Sequence, residues 1–314
     1  MTSAPLVSIV IATCNGASYL PDQIGSVLAQ TYKNLEVIIS DDCSEDETFK
    51  IARDFSGSDT RIRLFSNDTR LGVTTNFLKA LRHCRGAFVC FCDQDDYWRA
   101  DKVERLMRLL EPNEETLLVY SDLEVCDENL NRLHRSFWKM SATQPVRGVL
   151  DERVLFRNIT PGCSMMLRRA VAEKILSFRG GVPFLHDHLA FVTSCGMGKI
   201  LFTKEKLVKY RQHQRNVIGA GRKSLFDPEV FLGEIRKRID FFEKAAVLKG
   251  RFNFAKLANF CDVYSQKKFW QLPYLGYYLF FHPHNWKGRT QAVCEALFPR
   301  LYDALKAKLG AQNS

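Results

Sequence analysis

The chain lacks any run of about 18 apolar residues, which excludes a membrane-spanning helix. Met1 to Pro5 is short and uncharged, and strand-like composition begins at Leu6, so no secretory leader is expected. No Cys-x-x-Cys pair occurs among the ten cysteines, which argues against a zinc site of the common kind. Cys90 and Cys92 fall inside an apolar run, and the cysteines read as mostly reduced, small core residues of a cytoplasmic protein. No G-x-G-x-x-G follows the first predicted strand, and no G-x-x-x-x-G-K-[ST] occurs anywhere. A bound nucleotide would therefore have its phosphates held by a metal rather than by a glycine loop.

What is present is an ordinary soluble composition, 46% apolar and 25% charged, over 314 residues. That length suits one large domain with an appendage, or two domains. The charge is unevenly placed. Residues 222–314 carry 16 Lys+Arg against 8 Asp+Glu, while the remainder carries 29 against 27. The basic excess of the last third implies a local anionic partner.

The first half alternates strand and helix. Strands are predicted at Leu6 to Thr13, Leu35 to Ser40, Ile62 to Ser66, Phe88 to Cys92 and Leu117 to Ser121. Helices are predicted at Tyr19 to Gln30, from Ser44 to Phe55, Thr74 to Cys84 and Asp101 to Leu110, the second opened by a Ser44/Glu47 capping box. This β-α order implies a mostly parallel, Rossmann-like sheet with right-handed crossovers. Phe88 to Cys92 reads as a strand buried on both faces, and Asp93, Asp95 and Asp96 follow it directly. Ligands of open α/β sheets bind at that edge. Three acids so close repel one another unless a cation lies between them, and a divalent metal carrying phosphate oxygens meets that need. Thr13 and Asn15 after the first strand, and Asp41 and Asp42 after the second, fall on the same edge. An Asp at a strand end suits the N–H of a pyrimidine, although Asn and Asp are also ordinary turn residues.

These stretches together resemble the inverting glycosyltransferases of family 2, which have the A-type nucleotide-sugar fold. The matching pieces are Val7 to Gly16, Ser26 to Tyr32, Leu35 to Asp46, Asn67 to Gly72 with Asn76, and Asp93 to Trp98. A second set, Pro161 to Met166, His186-Asp187-His188, Tyr210 to His213 and Asn216 to Gly219, is most similar to the bacterial rhamnosyltransferase-like branch. The resemblance covers about Pro5 to Gly221. It implies that Thr13 and Asn15 lie beside the nucleotide, Asp42 contacts its base, and Asn76 sits near the ribose or base. It makes Asp93 and Asp95 the Asp-x-Asp motif, with Asp95 the direct ligand of Mn2+ or Mg2+. Asp187 becomes the general base. Two positions depart from the pattern: Cys14 stands where the family usually has Tyr or Phe, and His188 where this branch often has Trp.

Downstream, 124–147 reads as loop, 151–158 as a short helix, Cys163 to Leu167 as a strand and Ala170 to Phe178 as a helix. Asp187 falls near the N-terminus of a helix that continues over Leu189 to Cys195, so a capping role is its plain alternative. Lys206 to His213 reads as a strand. His213 at its end is read as a metal ligand, a diphosphate donor or a solvated histidine. Arg211 suits a phosphate by its fork geometry, or a surface ion pair. His186 and His188 flank the base, where diphosphate or acceptor is expected. From Asp227 to Leu248 a helix is predicted, with Pro228 in its first turn. Lys267 to Arg289 mixes basic ends with many aromatics, which suits a membrane surface or a helical appendage packed on the catalytic domain. No nucleic-acid module is present.

The expected organisation is a catalytic domain at 1–221, with a nucleotide-sugar half (1–122) and an acceptor half (123–221), followed by a basic, aromatic-rich helical region at 222–314. The expected activity is metal-dependent transfer of L-rhamnose from dTDP-L-rhamnose, with inversion, to a cell-surface polysaccharide or glycolipid, in the cytoplasm at the inner face of the membrane. A UDP sugar as donor, or a non-catalytic basic protein on the membrane surface, are the alternatives. A metal-dependent phosphohydrolase fits less well, since its acids normally follow the first strand of the fold and here follow the fourth.

Overall fold

Strands β1 (Val7–Thr13) and β2 (Leu35–Asp41) are runs of Val and Ile with almost every residue buried. Such continuous runs form only where a sheet is covered on both faces. The computed structural model describes residues 4–148, 158–178, 182–214, 216, 237–238 and 240–241. The first half follows the predicted alternation: α1 (Leu20–Leu28), α2 (Thr48–Ser58), β3 (Ile62–Ser66), α3 (Val73–Leu81), β4 (Phe88–Asp93), a two-residue β5 (Tyr97–Trp98) and α4 (Lys102–Leu110). Then come β6 (Thr116–Cys126), β7 (Arg132–His134), α5 (Phe137–Met140), a 3-10 turn at Gly162–Ser164, β8 (Met165–Arg168), α6 (Arg169–Leu176), α7 (His186–Met197) and β9 (Lys199–Arg211).

One sheet runs in the order β3-β2-β1-β4-β8-β6-β9-β5, with β7 on β6. The first four strands of that order, β3-β2-β1-β4, are parallel throughout. Beyond β4 the sheet becomes mixed, because β8 enters antiparallel to both β4 and β6. The registers Thr13↔Asp41 and Ala12↔Asp93 bring the ends of β1, β2 and β4 to one edge, as the strand-end acids imply. The α/β fold with its largely parallel sheet is therefore as expected.

Four local expectations need correction. Glu47, not Ser44, precedes the first turn of α2, and no side chain of the pair caps it. Ser44 is drawn away to Asp41, whose carboxylate accepts from its backbone N (2.9 Å) and its Oγ (2.6 Å). Asp46 accepts from Thr48 N instead (3.0 Å). The stretch after residue 124 is not all loop: β6 runs to Cys126, β7 pairs with it, and Ser136 caps α5 by accepting from Lys139 N. The strand expected at Cys163 begins two residues later, after the 3-10 turn. β9 begins at Lys199 and ends at Arg211, so His213 lies beyond it. The helix expected over 151–158 and nearly all of 222–314 lie outside the described residues. All eight described cysteines are free thiols.

The core joins the two halves through aromatic contacts. Phe91 of β4 is fully buried, with its ring edge-on to Phe77 of α3 at 5.5 Å and to His186 of α7 at 4.8 Å. Phe91→Ala should cost about 3–5 kcal/mol of stability, through lost burial and an unfilled cavity. Phe49→Ala, at a 36% exposed position on α2, should change stability by less than about 0.5 kcal/mol. Urea denaturation of the two variants measures both.

Candidate active site

The strand ends carry side chains that first of all hold the loops in place. Thr13 Oγ1 donates to Asp41 Oδ1 at 2.8 Å. Asn15 adopts a left-handed φ of 52°, which asparagine tolerates better than most residues. Its Oδ1 accepts from Glu45 N, and its own N donates to Ser44 Oγ. Asp42 is buried, and its carboxylate accepts from Leu71 N, Gly72 N and Asn67 Nδ2, each at 2.8 Å. It thereby folds the 67–72 loop over the end of β2. Asn76 is buried with both polar ends in use: Oδ1 accepts from Ser40 Oγ and Asn67 Nδ2, and Nδ2 donates to Ser40 O. Of the five residues expected at the nucleotide, Thr13 and Asn15 are joined through Asp41 and Ser44, and Asp42 and Asn76 through Asn67, while the fifth, Asp93, lies at the end of β4.

The acid turn after β4 is crowded. Burial, then the charges of Asp95 and Asp187, push Asp93 up to about 7. That effect puts Asp187, 94 positions later in the chain, within electrostatic reach of Asp93. Asp96 is fully buried; burial, with Asp95 and Asp93 beside it, holds it well above the usual carboxylate range. Its Oδ1 accepts from Arg211 N at 3.0 Å, while Oδ2 meets no N–H or O–H donor among the described residues. Beneath the turn, Lys102 of α4 is fully buried with its Nζ 2.9 Å from the centre of the Trp98 ring. Burial lowers its pKa, and the cysteines 90, 92 and 163 and Asp96 oppose that shift.

Asp187 lies in the first turn of α7, after Leu185 as the N-cap. The capping alternative therefore fails in detail, since Asp187 is inside the helix. Its Oδ2 accepts from Gly162 N at 3.2 Å and its Oδ1 from His188 N at 2.7 Å. A Cβ at Gly162 would lie 2.9 Å from His186 Nε2 and 3.1 Å from Asp187 Cβ, so glycine permits this approach. His186 stacks on Phe77 at 3.7 Å, and burial holds it down to about 4, so it is neutral at neutral pH. Neither of its ring nitrogens has a hydrogen-bond partner among the described residues. His188 is buried against the edge of Phe184 at 5.2 Å.

His213 reaches the acid turn: its Nε2 lies 2.8 Å from Asp95 Oδ2, and Asn216 Nδ2 donates to the same oxygen at 3.2 Å. Arg211 is placed otherwise than expected. It is buried, not at the surface, and its guanidinium pairs with Asp22 (2.9 Å) and donates to Glu128 O (2.8 Å). A phosphate would have to compete with both. Tyr19, which sequence reasoning missed, lies between the two: the Arg211 Cζ is 4.6 Å from its ring centre, and its ring stacks on His213 at 4.6 Å. Lys102 was missed as well: it is an ordinary residue in local sequence, and only long-range packing buries it against Trp98.

At the turn the Asp95 carboxylate and the His213 imidazole meet, a donor pair that a hard divalent cation would accept, with Asp93 two residues earlier in the chain. A second group, with oxygens of Asp93 and Asp96 and the sulfur of Cys163 within 4.8 Å of one another, fits less well. Burial and the two aspartates hold the Cys163 thiol well above its ordinary pKa, so it keeps its proton.

Residues 8–176, more than half of the chain, match the family described as Glycosyl transferase family 2. The UDP-Glc:alpha-D-GlcNAc-diphosphoundecaprenol beta-1,3-glucosyltransferase WfgD of Escherichia coli is 29% identical over 182 residues, 58% of this chain and 65% of its own. Among solved structures, S. aureus TarS 1–349 in complex with UDP-GlcNAc superposes with a TM-score of 0.58 at 18% identity, over 80% of this chain and 68% of its own. The mannosyltransferase PcManGT from Pyrobaculum calidifontis, solved with GDP-Man and Mn2+, gives 0.56 at 16% identity, over 99% of this chain and 81% of its own. The last two likenesses are of fold. The matched stretch runs from β1 through the acid turn to α6, and on it the chain belongs to glycosyl transferase family 2.

Proposed function

We propose that the chain is a metal-dependent, inverting glycosyltransferase that moves a sugar from a pyrimidine nucleoside diphosphate to a lipid-linked or polysaccharide acceptor. The observation that carries this reading is the convergence of Asp187 with the acid turn. Asp187 of α7 accepts from Gly162 N, and Gly162 packs against both Asp187 and Phe91 of β4, the strand whose end leads into Asp93, Asp95 and Asp96. Asp93, Asp95 and His213 would hold the metal, which offsets the charge that develops on the departing diphosphate.

Asp187 takes the proton of the acceptor hydroxyl as its oxygen bonds to C1 from the face opposite the phosphate. The C1–O bond to the diphosphate breaks and leaves its electron pair there. Gly162 N, donating to Oδ2, and the first turn of α7 orient the Asp187 carboxylate for that task. Neutral His186, with its ring nitrogens unpartnered among the described residues, and His188 flank the base on the acceptor side.

The motif resemblance supports dTDP-L-rhamnose as donor. A UDP sugar is the second reading, favoured by the UDP donors printed for WfgD and TarS. The diphosphoundecaprenol-linked acceptor of WfgD supports a cell-surface glycan built on a lipid carrier. Residues 222–314, with their basic excess and aromatic stretch, would meet such an acceptor at the inner membrane face. No helix among the described residues is long and apolar enough to cross a membrane.

Calorimetric titration of dTDP, dTDP-L-rhamnose, UDP and UDP-glucose, each with and without Mn2+, tests the donor site. Metal-dependent binding of one base pair of ligands is expected; no binding by any of them to folded protein would defeat the reading. Asp187→Asn should lower kcat by about 10²–10⁴-fold while donor affinity stays within twofold. An equal loss of affinity would argue that Asp187 serves the donor instead.

A further expectation concerns protons. Between its ordinary 3.8 and about 7, native Asp93 holds a proton that the unfolded chain has released. Stability of the metal-free protein should therefore fall as pH rises across that window, with the slope reduced in Asp93→Asn. Mn2+ binding at pH 6 should release this proton, read by calorimetry in buffers of different ionisation enthalpy, and Asp93→Asn should abolish the release.

A further inference from the structure

β1 and β4 are hydrogen-bonded neighbours as far as Ala12↔Asp93. Past that pair the two chains separate to open the edge where the donor would bind. One side chain spans the gap. Gln94 Oε1 accepts from Cys14 N at 2.8 Å, and Gln94 Nε2 donates to Cys14 O at 3.0 Å. The side-chain amide therefore does for residue 14 what a neighbouring strand's backbone would do, and it extends the ladder by one step after the strands have parted. Gly16 makes room for it: a Cβ there would collide with the Gln94 amide, with Nε2 only 2.9 Å away. Gly16 has no positive φ of its own, so the contact is what requires a glycine.

We infer that Gln94 is a positioning residue that locks the nucleotide-facing loop 13–16 to the metal-bearing turn 93–96. This inference rests on the glycosyltransferase reading, which gives those two segments their roles. Loop 13–16 carries Thr13 and Asn15, and the turn carries Asp93 and Asp95. With the clamp closed, base and diphosphate meet a site of fixed width. Gln94 grips only the backbone of residue 14, so the clamp makes no demand on that side chain. This accounts for Cys14 at a position where the family usually has an aromatic ring. The Cys14 thiol is used elsewhere, donating to Asp42 O at 3.6 Å.

A double-mutant cycle with Gln94→Met and Gly16→Ala tests the clamp. Each single change should weaken Mn2+-dependent binding of UDP or dTDP about tenfold, as expected for two lost hydrogen bonds at a rigid site. Each should also speed hydrogen exchange at the Cys14 amide. The double variant should be no worse than either single one, because both act by removing the same contact. Gln94→Glu keeps an acceptor for Cys14 N, and should keep that amide slow to exchange. Additive losses in the double variant, or unchanged exchange at Cys14 in Gln94→Met, would overturn the inference. Wild-type protein that binds no nucleotide would overturn it together with the functional reading. Wild-type binding matched by Gln94→Met would overturn the clamp alone.

Discussion

Like charge crowded at the end of one buried strand sets the conditions for everything around it. Two carboxylates roughly 4 Å apart near a protein surface repel by about 4 kcal/mol, and the turn after β4 carries three in four residues. The protein treats each differently. Asp96 is withdrawn into the core, where the backbone N of Arg211 holds one oxygen and burial favours a proton on the other. Asp95 is met by His213 and Asn216. Asp93 feels burial and the charges of Asp95 and Asp187, which push its carboxyl up to about 7, against the opposing charge of Lys102. The long β9 exists at this place because its far end must deliver Arg211 and His213 to the turn. The Tyr19 ring between these two side chains ties that delivery to the start of α1.

The neighbouring edge follows a different logic. Asp41 and Asp42 are consumed by loop amides and hydroxyls, and they order 44–48 and 67–72 before any ligand arrives. A site whose walls are already hydrogen-bonded loses less entropy on binding than one that must assemble. On the proposed function the acids of the fourth strand end serve the chemistry, while those of the second hold loops. Their spacing in sequence does not distinguish the two uses.

This difference explains what was legible beforehand. The strands, their order of alternation and the acids at their ends are local patterns, and a buried run followed by charge can be read from a dozen residues. Asp187 was legible only through a motif, since nothing within its own helix distinguishes it from a capping residue. For Arg211 the ion-pair alternative holds, with Asp22, but its burial is not a local property: a strand-end arginine looks the same whether it is solvated or packed over the Tyr19 ring. The Ser44 capping box failed for a related reason, since Asp41 offers Ser44 better partners than the helix does. The antiparallel entry of β8 between β4 and β6 was invisible, because strand direction depends on pairing across some 75 residues.

That entry of β8 has a consequence for how the chain acquires its fold. β1 to β4 can pair as soon as they are made, but the outer side of β4 stays open until Met165–Arg168 arrives. Until then a buried-type strand, Phe88 to Cys92, presents a bare apolar edge to solvent. A fragment ending between β6 and β8 would contain Thr13, Asn15, Asp42, Asn76 and the acid turn, and still be a sticky half-sheet. The stretch that carries β8 is thus, in assembly terms, the seal on the parallel sheet of β1 to β4.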